Sequence, residues 1–272
     1  MADTNHIDTI SDAFLAARAE RRALPDFPGE VPGSLKTAYA VQDRSIAARG
    51  EPVAGWKIGL IPPAWREKAG AERLTGPIFA PLVRGHAPGQ IHAMEVFEGG
   101  FAAVEAEFVF RLTEDAPVSG DLSDDRLAEI AGALHVGVEI ASSPFAGIND
   151  RGPMSVVSDF GNNNGLILGP EIEGWREIAL EDLPANVRID GRTVGEATAA
   201  ALPGGPLGAL RFLIDLMAAR GIALPAGTLV STGAATGVHE APPGAGSVVS
   251  FGRHGEIALE LVPARAPGRA AS

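Results

Sequence analysis

Phe101-Ala102-Ala103-Val104-Glu105-Ala106-Glu107-Phe108-Val109-Phe110-Arg111-Leu112 reads as one β-strand with partial alternation. Side chains two apart on a strand share a face. Ala106, Phe108, Phe110 and Leu112 therefore point into a core, and Glu105 and Glu107 point together to the opposite side. Adjacent carboxylates repel unless water or a cation stands between them. On a surface strand, solvent and lysines do that, but here the flanks are strongly apolar. A third acid, Glu139, stands in another apolar run, Leu134-His135-Val136-Gly137-Val138-Glu139-Ile140-Ala141. A buried carboxylate needs a partner. Three oxygen ligands suit Mg2+ or Mn2+ and suit Zn2+ less. A solvated face is the competing reading of an E-x-E pair, and the residues alone leave both open. His135 shares a strand face with Glu139, and a histidine among apolar neighbours is more often a satisfied core residue than a ligand.

Working outward, the chain before the first strand is helical. Ile7, Ile10, Phe14 and Ala17 recur at spacings of three and four, which predicts an amphipathic helix over 7–22. A second helix is expected over 34–48, with Ser34 as its N-cap and Gly50 closing it. Gln42 falls on its apolar stripe, either packed there or turned into a site. Val53–Leu60 reads as a strand bounded by Pro52 and Pro62. After the strand at 101–112, Ser123 can cap a helix running to about Leu134. Val136–Ile140 and Gly165–Leu168 read as short β runs. Pro206–Arg220 is a helix with Pro in its first turn and Gly221 just past its end. From Leu229 to Leu261, Gly/Pro turns break the chain into short strands. Val248–Phe251 and Glu256–Leu261 pair as a hairpin there. The pattern predicts an α+β protein: an N-terminal helical segment (1–52), a β-rich core (53–263) and a frayed tail (264–272).

Three further segments carry candidate chemistry. Gly55-Trp56-Lys57-Ile58-Gly59 sets a lysine between apolar residues and glycines. Such a lysine either snorkels to the surface or stands inside, where it can bind a carboxylate or move a proton. Ser158-Asp159-Phe160-Gly161-Asn162-Asn163-Asn164-Gly165 is the most polar Gly/Asn loop in the chain. It is a turn that uses left-handed conformations, or a site wall in which Asp159 acts in catalysis and Asn162 binds substrate. Ser231-Thr232-Gly233-Ala234-Ala235-Thr236-Gly237 allows close backbone approach to a ligand. Thr232 and Thr236 are its candidate substrate contacts, with plain turn chemistry as the alternative.

Composition excludes several classes. The chain has 272 residues and a net charge of -12, with no Lys/Arg cluster, so nucleic acid and anionic membranes are disfavoured as partners. There is no cysteine, which removes disulfides, thiolate metal sites and a cysteine nucleophile. No apolar stretch reaches the roughly 18 residues of a membrane span, and the first residues lack a signal-peptide pattern. A cytoplasmic protein is expected. G-x-S-x-G, G-x-x-x-x-G-K-[ST] and H-E-x-x-H patterns are all missing, which speaks against nucleophilic-serine, phosphate-loop and zincin chemistry.

Taken in order, Ala38–Gln42, Gly55–Gly59, Glu105–Glu107, Leu134–Glu139, Asp159–Gly169 and Leu229–Gly237 resemble the fumarylacetoacetate hydrolase superfamily. The resemblance is to its branch of 2-keto-4-pentenoate hydratases and 4-oxalocrotonate decarboxylases. It spans about residues 38–237, and the ordered set carries it rather than any one piece. It implies a mixed-sheet rolled core with a metal at its open end. Glu105, Glu107 and Glu139 would be the ligands of Mg2+ or Mn2+, and Lys57 would be an active-site residue. It further implies a homo-oligomer that hydrates a small 2-hydroxy-2,4-dienoate or 2-oxo acid. Decarboxylation, C–C hydrolysis of acylpyruvates and a non-catalytic binding role are the alternatives. This chain departs from the branch in three places. Arg73-Leu74-Thr75-Gly76-Pro77-Ile78 replaces a Pro-Asp-Phe-Gly type stretch, so its acid is absent. Asp159-Phe160-Gly161-Asn162 replaces Asp-Asn-Ala-Ser. Ala234 stands where the hydrolases tend to carry Thr, which argues mildly against acylpyruvate hydrolysis.

Overall fold

The computed structural model describes residues 2–117 and 122–265. The N-terminal periodicity gives two helices, α1 (Ala2–Glu20) and α2 (Leu35–Arg49). Ile10, Phe14 and Ala17 are buried as expected. The first helix begins earlier than the sequence suggests and stops at Glu20, because Arg21 takes a left-handed φ of 55°. The Ser34 side chain accepts the Thr37 amide, and Gly50 ends α2.

Strand β1 (Val53–Leu60) leads through a short surface helix, α3 (Pro63–Ala69), to β2 (Arg73–Phe79), β3 (Val83–Gly85) and β4 (Ile91–Val96). Then comes β5 (Phe101–Arg111), the strand quoted at the outset. Helix α4 (Asp124–Ala131), capped by Ser123, ends before Leu134 because Gly132 turns the chain into β6 (Ala133–Ser143). Helix α5 (Pro153–Ser158) and a left-handed loop precede β7 (Asn163–Glu171). The rest comprises β8 (Pro184–Ile189), β9 (Arg192–Thr198), α6 (Gly205–Arg220), β10 (Leu229–Ser231), β11 (His239–Glu240), β12 (Gly246–Ser250) and β13 (Glu256–Pro263). The runs read as short at 136–140 and 165–168 are parts of strands of 11 and 9 residues. Strand β6 is paired on both sides, so its ladder carries polar Ser142 and Ser143 that the hydrophobic pattern leaves out.

The strands form two mixed sheets. The larger runs β2-β1-β10-β5-β6-β7-β3, with β11 also on β5. The smaller runs β4-β13-β12-β8-β9. The even-numbered side chains of β5 enter the core between the sheets, where Phe108 meets Phe251 edge-on and Phe110 meets Trp175. The odd face has a different cover. Phe101 and Ala103 pack with Phe14, Tyr39, Val41 and Met154 in a cluster that joins α1, α2 and α5 to the large sheet. Thus the sheet curls around a strip of its own inner face, and Glu105 and Glu107 lie on that strip. Of the tail expected over 264–272, Ala264 still donates its amide to Val96, and residues 266–272 lie outside the described residues. Among the described residues no helix is long and apolar enough to cross a membrane.

Candidate metal centre and its pocket

Register brings the three acids together. Glu105 lies directly opposite Glu139 across β5 and β6, and Glu107 lies opposite Gly137. One oxygen from each of the three carboxylates falls within 4.8 Å of the others. All three side chains are buried. Strands β10 and β11 both pair with β5, and the chain between them bulges away beside the glutamates. The bulge keeps two amide bonds to β5, from Thr232 to Phe108 and from Ala235 to Ala106. It thereby aims the Gly233 amide at Glu107 Oε2 (2.6 Å), which also accepts the Ser231 hydroxyl (3.0 Å). Glu139 Oε1 accepts from Asn163 Nδ2 at 3.0 Å and lies 3.3 Å from Lys57 Nζ. Lys57 is buried here rather than snorkelling.

The remaining oxygens decide the chemistry. Glu105 Oε1, Glu107 Oε1 and Glu139 Oε2 are buried and have no hydrogen-bond partner. A buried carboxylate oxygen without a partner is costly, and each of the three carboxylates has one. The electrostatics agree. Burial pushes the Glu105 carboxyl up to about 7, with Lys57 opposing and Glu139 adding to the rise. Burial, then Glu139 and Glu105, hold Glu107 well above the usual carboxylate range. Burial alone would lower Lys57, but the combined pull of Glu139, Glu105 and Glu107 wins and raises it. Fully ionised, the three carboxylates and one ammonium carry a net charge of -2, which a divalent cation would neutralise. An all-oxygen donor set fits a hard ion such as Mg2+ or Mn2+. His135 is not among these donors, since its Nδ1 lies on the Gly169 carbonyl (3.1 Å).

Beside the glutamates opens a cavity of about 340 Å3, whose wall includes Lys57, Glu105, Asn149 and Asn162. Asn162 Oδ1 lies 3.5 Å from Lys57 Nζ, and its Nδ2 lies 3.4 Å from Asn149 Oδ1. Three of the expected site residues do not line this cavity. Asp159 is paired with Arg18 of α1 (Nε to Oδ1, 2.6 Å), both side chains being buried, which ties the loop to α1, and its Oδ2 is buried without a partner. The Thr232 hydroxyl is turned back to the Phe108 carbonyl at 2.8 Å. Thr236 pairs with His239 Nε2 at 3.0 Å. Thr75, where the branch would carry an acid, donates its hydroxyl to the Lys57 carbonyl at 2.7 Å. Sequence reasoning missed Asn149, Trp65 and Val238 as wall residues. Each stands in a segment with no periodicity, and only the folded chain shows that they meet. The Asn162 loop itself is strained: Phe160, Gly161 and Asn162 have φ of 58°, 64° and 55°. Gly76 permits it, because a Cβ there would stand 2.0 Å from the Phe160 carbonyl oxygen.

No family model matches the chain. It is 29% identical over 238 residues to a 2-keto-4-pentenoate hydratase of Paraburkholderia phymatum, covering 86% of this chain and 89% of that one. It is 25% identical over 258 residues to a 4-oxalocrotonate decarboxylase of Pseudomonas putida, covering 93% and 94%. Over most of its length the chain is similar to these enzymes of the fumarylacetoacetate hydrolase superfamily. The solved 4-oxalocrotonate decarboxylase of Pseudomonas putida G7, complexed with magnesium and adipate, has the superfamily's fold. It superposes with a TM-score of 0.78 at 22% identity, over 95% of this chain and 98% of that one. The superfamily's mixed α+β core is thus the architecture found here, with the helical segment in front of it.

Proposed function

We propose that this protein is a divalent-metal-dependent hydro-lyase of the 2-keto-4-pentenoate hydratase type, which adds water across the distal double bond of a 2-hydroxy-2,4-dienoate. The observation that carries this reading is the convergence of three buried carboxylates, each with an unpartnered oxygen, beside Lys57 at a cavity wall. The hydratase relatives support it over most of the chain. Glu105, Glu107 and Glu139 would hold the ion, and Mg2+ or Mn2+ suits that donor set. Bound there, the ion would supply positive charge to the 2-oxo acid end of the substrate.

The chain's own residues have assigned parts. Lys57 stays an ammonium, held so by the glutamates. It meets the substrate carboxylate or delivers a proton during ketonisation of the dienol. Among the wall residues it is the only cation, so the acid missing at Thr75 needs no replacement from elsewhere in the wall. Asn162 orients Lys57 from one side, and Glu139 from the other. The hydration step then adds water's hydroxyl at C4 and its proton at C5, which gives the 4-hydroxy-2-oxo acid. A cytoplasmic homo-oligomer working in aromatic compound catabolism belongs to the same proposal and rests on the family resemblance.

An ultraviolet assay of 2-hydroxypenta-2,4-dienoate, with Mg2+ and then with chelator, tests the reading. Metal-dependent loss with 4-hydroxy-2-oxopentanoate as product is the expected result. Decarboxylation is the second reading, favoured by the 0.78 TM-score to the decarboxylase. It predicts CO2 release from 2-oxohex-3-enedioate and no turnover of the dienoate.

A further inference from the structure

The cavity wall is of mixed polarity. Lys57, Asn162 and Asn149 follow one another within hydrogen-bond reach, and the wall also carries the apolar side chains of Leu60, Trp65, Leu74, Val156 and Val238. Two of the few large apolar side chains exposed among the described residues, Leu60 (41%) and Val238 (52%), stand together at this one rim. Exposed apolar groups gathered around a pocket mark a binding surface. Trp65 is fixed as part of it. The ring lies against the bare backbone of Gly152, where a Cβ would come within 2.8 Å of three ring carbons, and Gly152 has φ +86°. Lys68 lies over the same ring, 5.4 Å from its centroid, but does not line the cavity.

We propose that this wall selects 2-hydroxy-2,4-dienoates whose far end is an uncharged alkyl or aryl group larger than the terminal vinyl of the pentadienoate. The inference rests on the proposed function and adds a substrate class to it. Volume is the first argument. An apolar cavity of about 150 Å3 already accepts benzene, so about 340 Å3 leaves room for several carbons beyond the pentadienoate. Charge is the second. A substrate with a carboxylate at its far end would set that group against Trp65, Val156 and Val238 with no wall cation to pair it, because Lys57 serves the 2-oxo acid end beside the glutamates.

Calorimetry on the Mg2+-loaded protein tests this with saturated 2-oxo acids, which cannot be hydrated. The ligands are 2-oxopentanoate, 2-oxooctanoate and 2-oxoheptanedioate. Each buried methylene should tighten binding about three- to fourfold. With part of the tail at the open rim, 2-oxooctanoate should bind at least about tenfold tighter than 2-oxopentanoate. The diacid should bind no tighter than 2-oxopentanoate. Val238→Arg, at an exposed position, should narrow the gap between diacid and 2-oxooctanoate by at least about threefold. Equal affinities for 2-oxopentanoate and 2-oxooctanoate, a diacid as tight as 2-oxooctanoate, or a gap that Val238→Arg leaves unchanged would each overturn the tail assignment while leaving the hydratase reading intact. Failure of all three acids to bind with metal present would remove the hydratase reading, and the tail assignment with it.

Discussion

Replacing Glu107 by Gln changes one charge and almost no volume. Glu107 Oε2 accepts from Ser231 Oγ and the Gly233 amide, and a glutamine oxygen can keep both bonds. Its amide nitrogen then takes the place of the unpartnered Oε1 and can donate toward Glu105 or Glu139. Burial and its neighbours already favour the protonated form of Glu107 without metal, so the neutral glutamine removes a charge the metal-free site disfavours, and the metal-free variant should be no less stable than wild type. Metal binding should suffer, because an NH2 group is no ligand for a hard cation. A loss of about 100-fold in affinity corresponds to about 2.7 kcal/mol. At a Mg2+ concentration near 100 times the wild-type Kd, the ion stabilises wild type by about 2.7 kcal/mol and the variant by about 0.4 kcal/mol. For a chain of this size, that is a metal-induced Tm rise of roughly 5–10 °C in wild type against roughly 1 °C in the variant. Thermal unfolding with and without Mg2+ measures both quantities. An undiminished metal-induced shift in Glu107→Gln would refute the three-carboxylate centre. A metal-free variant that melts well below wild type would refute the charge argument.

The pH dependence follows from the same carboxylates. Glu105 titrates near 7 without metal, against an ordinary 4.5, so the folded protein holds this proton over a range where the unfolded chain has released it. Metal-free stability should therefore fall as pH rises from about 4.5 through 7, and Mg2+ affinity should rise over that window with proton release. Calorimetry in buffers of different ionisation enthalpy reads the released proton, and a pH-independent affinity would contradict it. Lys57→Met should lower turnover at least about 100-fold and destabilise the metal-free protein by about 3–5 kcal/mol, since it leaves buried carboxylates uncompensated. Saturating Mg2+ should restore much of that stability, and a variant as stable as wild type without metal would show that Lys57 does not balance the centre. Arg18→Met should cost about 3–5 kcal/mol by stranding buried Asp159. Adding Asp159→Asn should recover part of the loss, and strictly additive losses in the double variant would contradict a direct pair.

The glutamate face was legible because it needs only the strand period. Once residues 101–112 are a strand, Glu105 and Glu107 must share a side, whereas the cover that buries that side comes from other elements of the fold. Glu139 could be selected from its apolar run, but its place opposite Glu105 depends on the β5–β6 register, which no local pattern encodes. Strands β2 and β9 were missed for a physical reason. The first carries Gly76-Pro77 in its middle, and the second is an edge strand with mostly exposed side chains, so neither shows an apolar alternation. Asp159, Thr232 and Thr236 illustrate a different limit. Polar residues in a turn-forming segment can face a ligand or satisfy the backbone around them. Here Arg18, the Phe108 carbonyl and His239 take them, and none of those partners is near in sequence except His239.

The N-terminal helices bear on the site more than their distance along the chain suggests. Gln42, on the apolar stripe of α2, donates both to the Thr75 carbonyl of β2 (3.0 Å) and to the Val157 carbonyl of α5 (3.1 Å). Tyr39 accepts the Thr75 amide at 3.1 Å, and burial pushes its hydroxyl up to about 12, so it remains protonated. Arg18 of α1 reaches Asp159, Asn164 and the Ser142 carbonyl. Every one of these bonds ends on β2, or on the β6–α5–β7 stretch that carries Asn162. These are the two segments that press together at Gly76 and Phe160, around Lys57. A loop with three consecutive left-handed residues does not hold its shape unaided. The helical layer supplies the missing constraint from outside the sheet, through buried polar bonds whose loss would leave unpaired groups. The helices thus fix the approach of Asn162 to Lys57, although neither helix contributes a residue to the cavity wall.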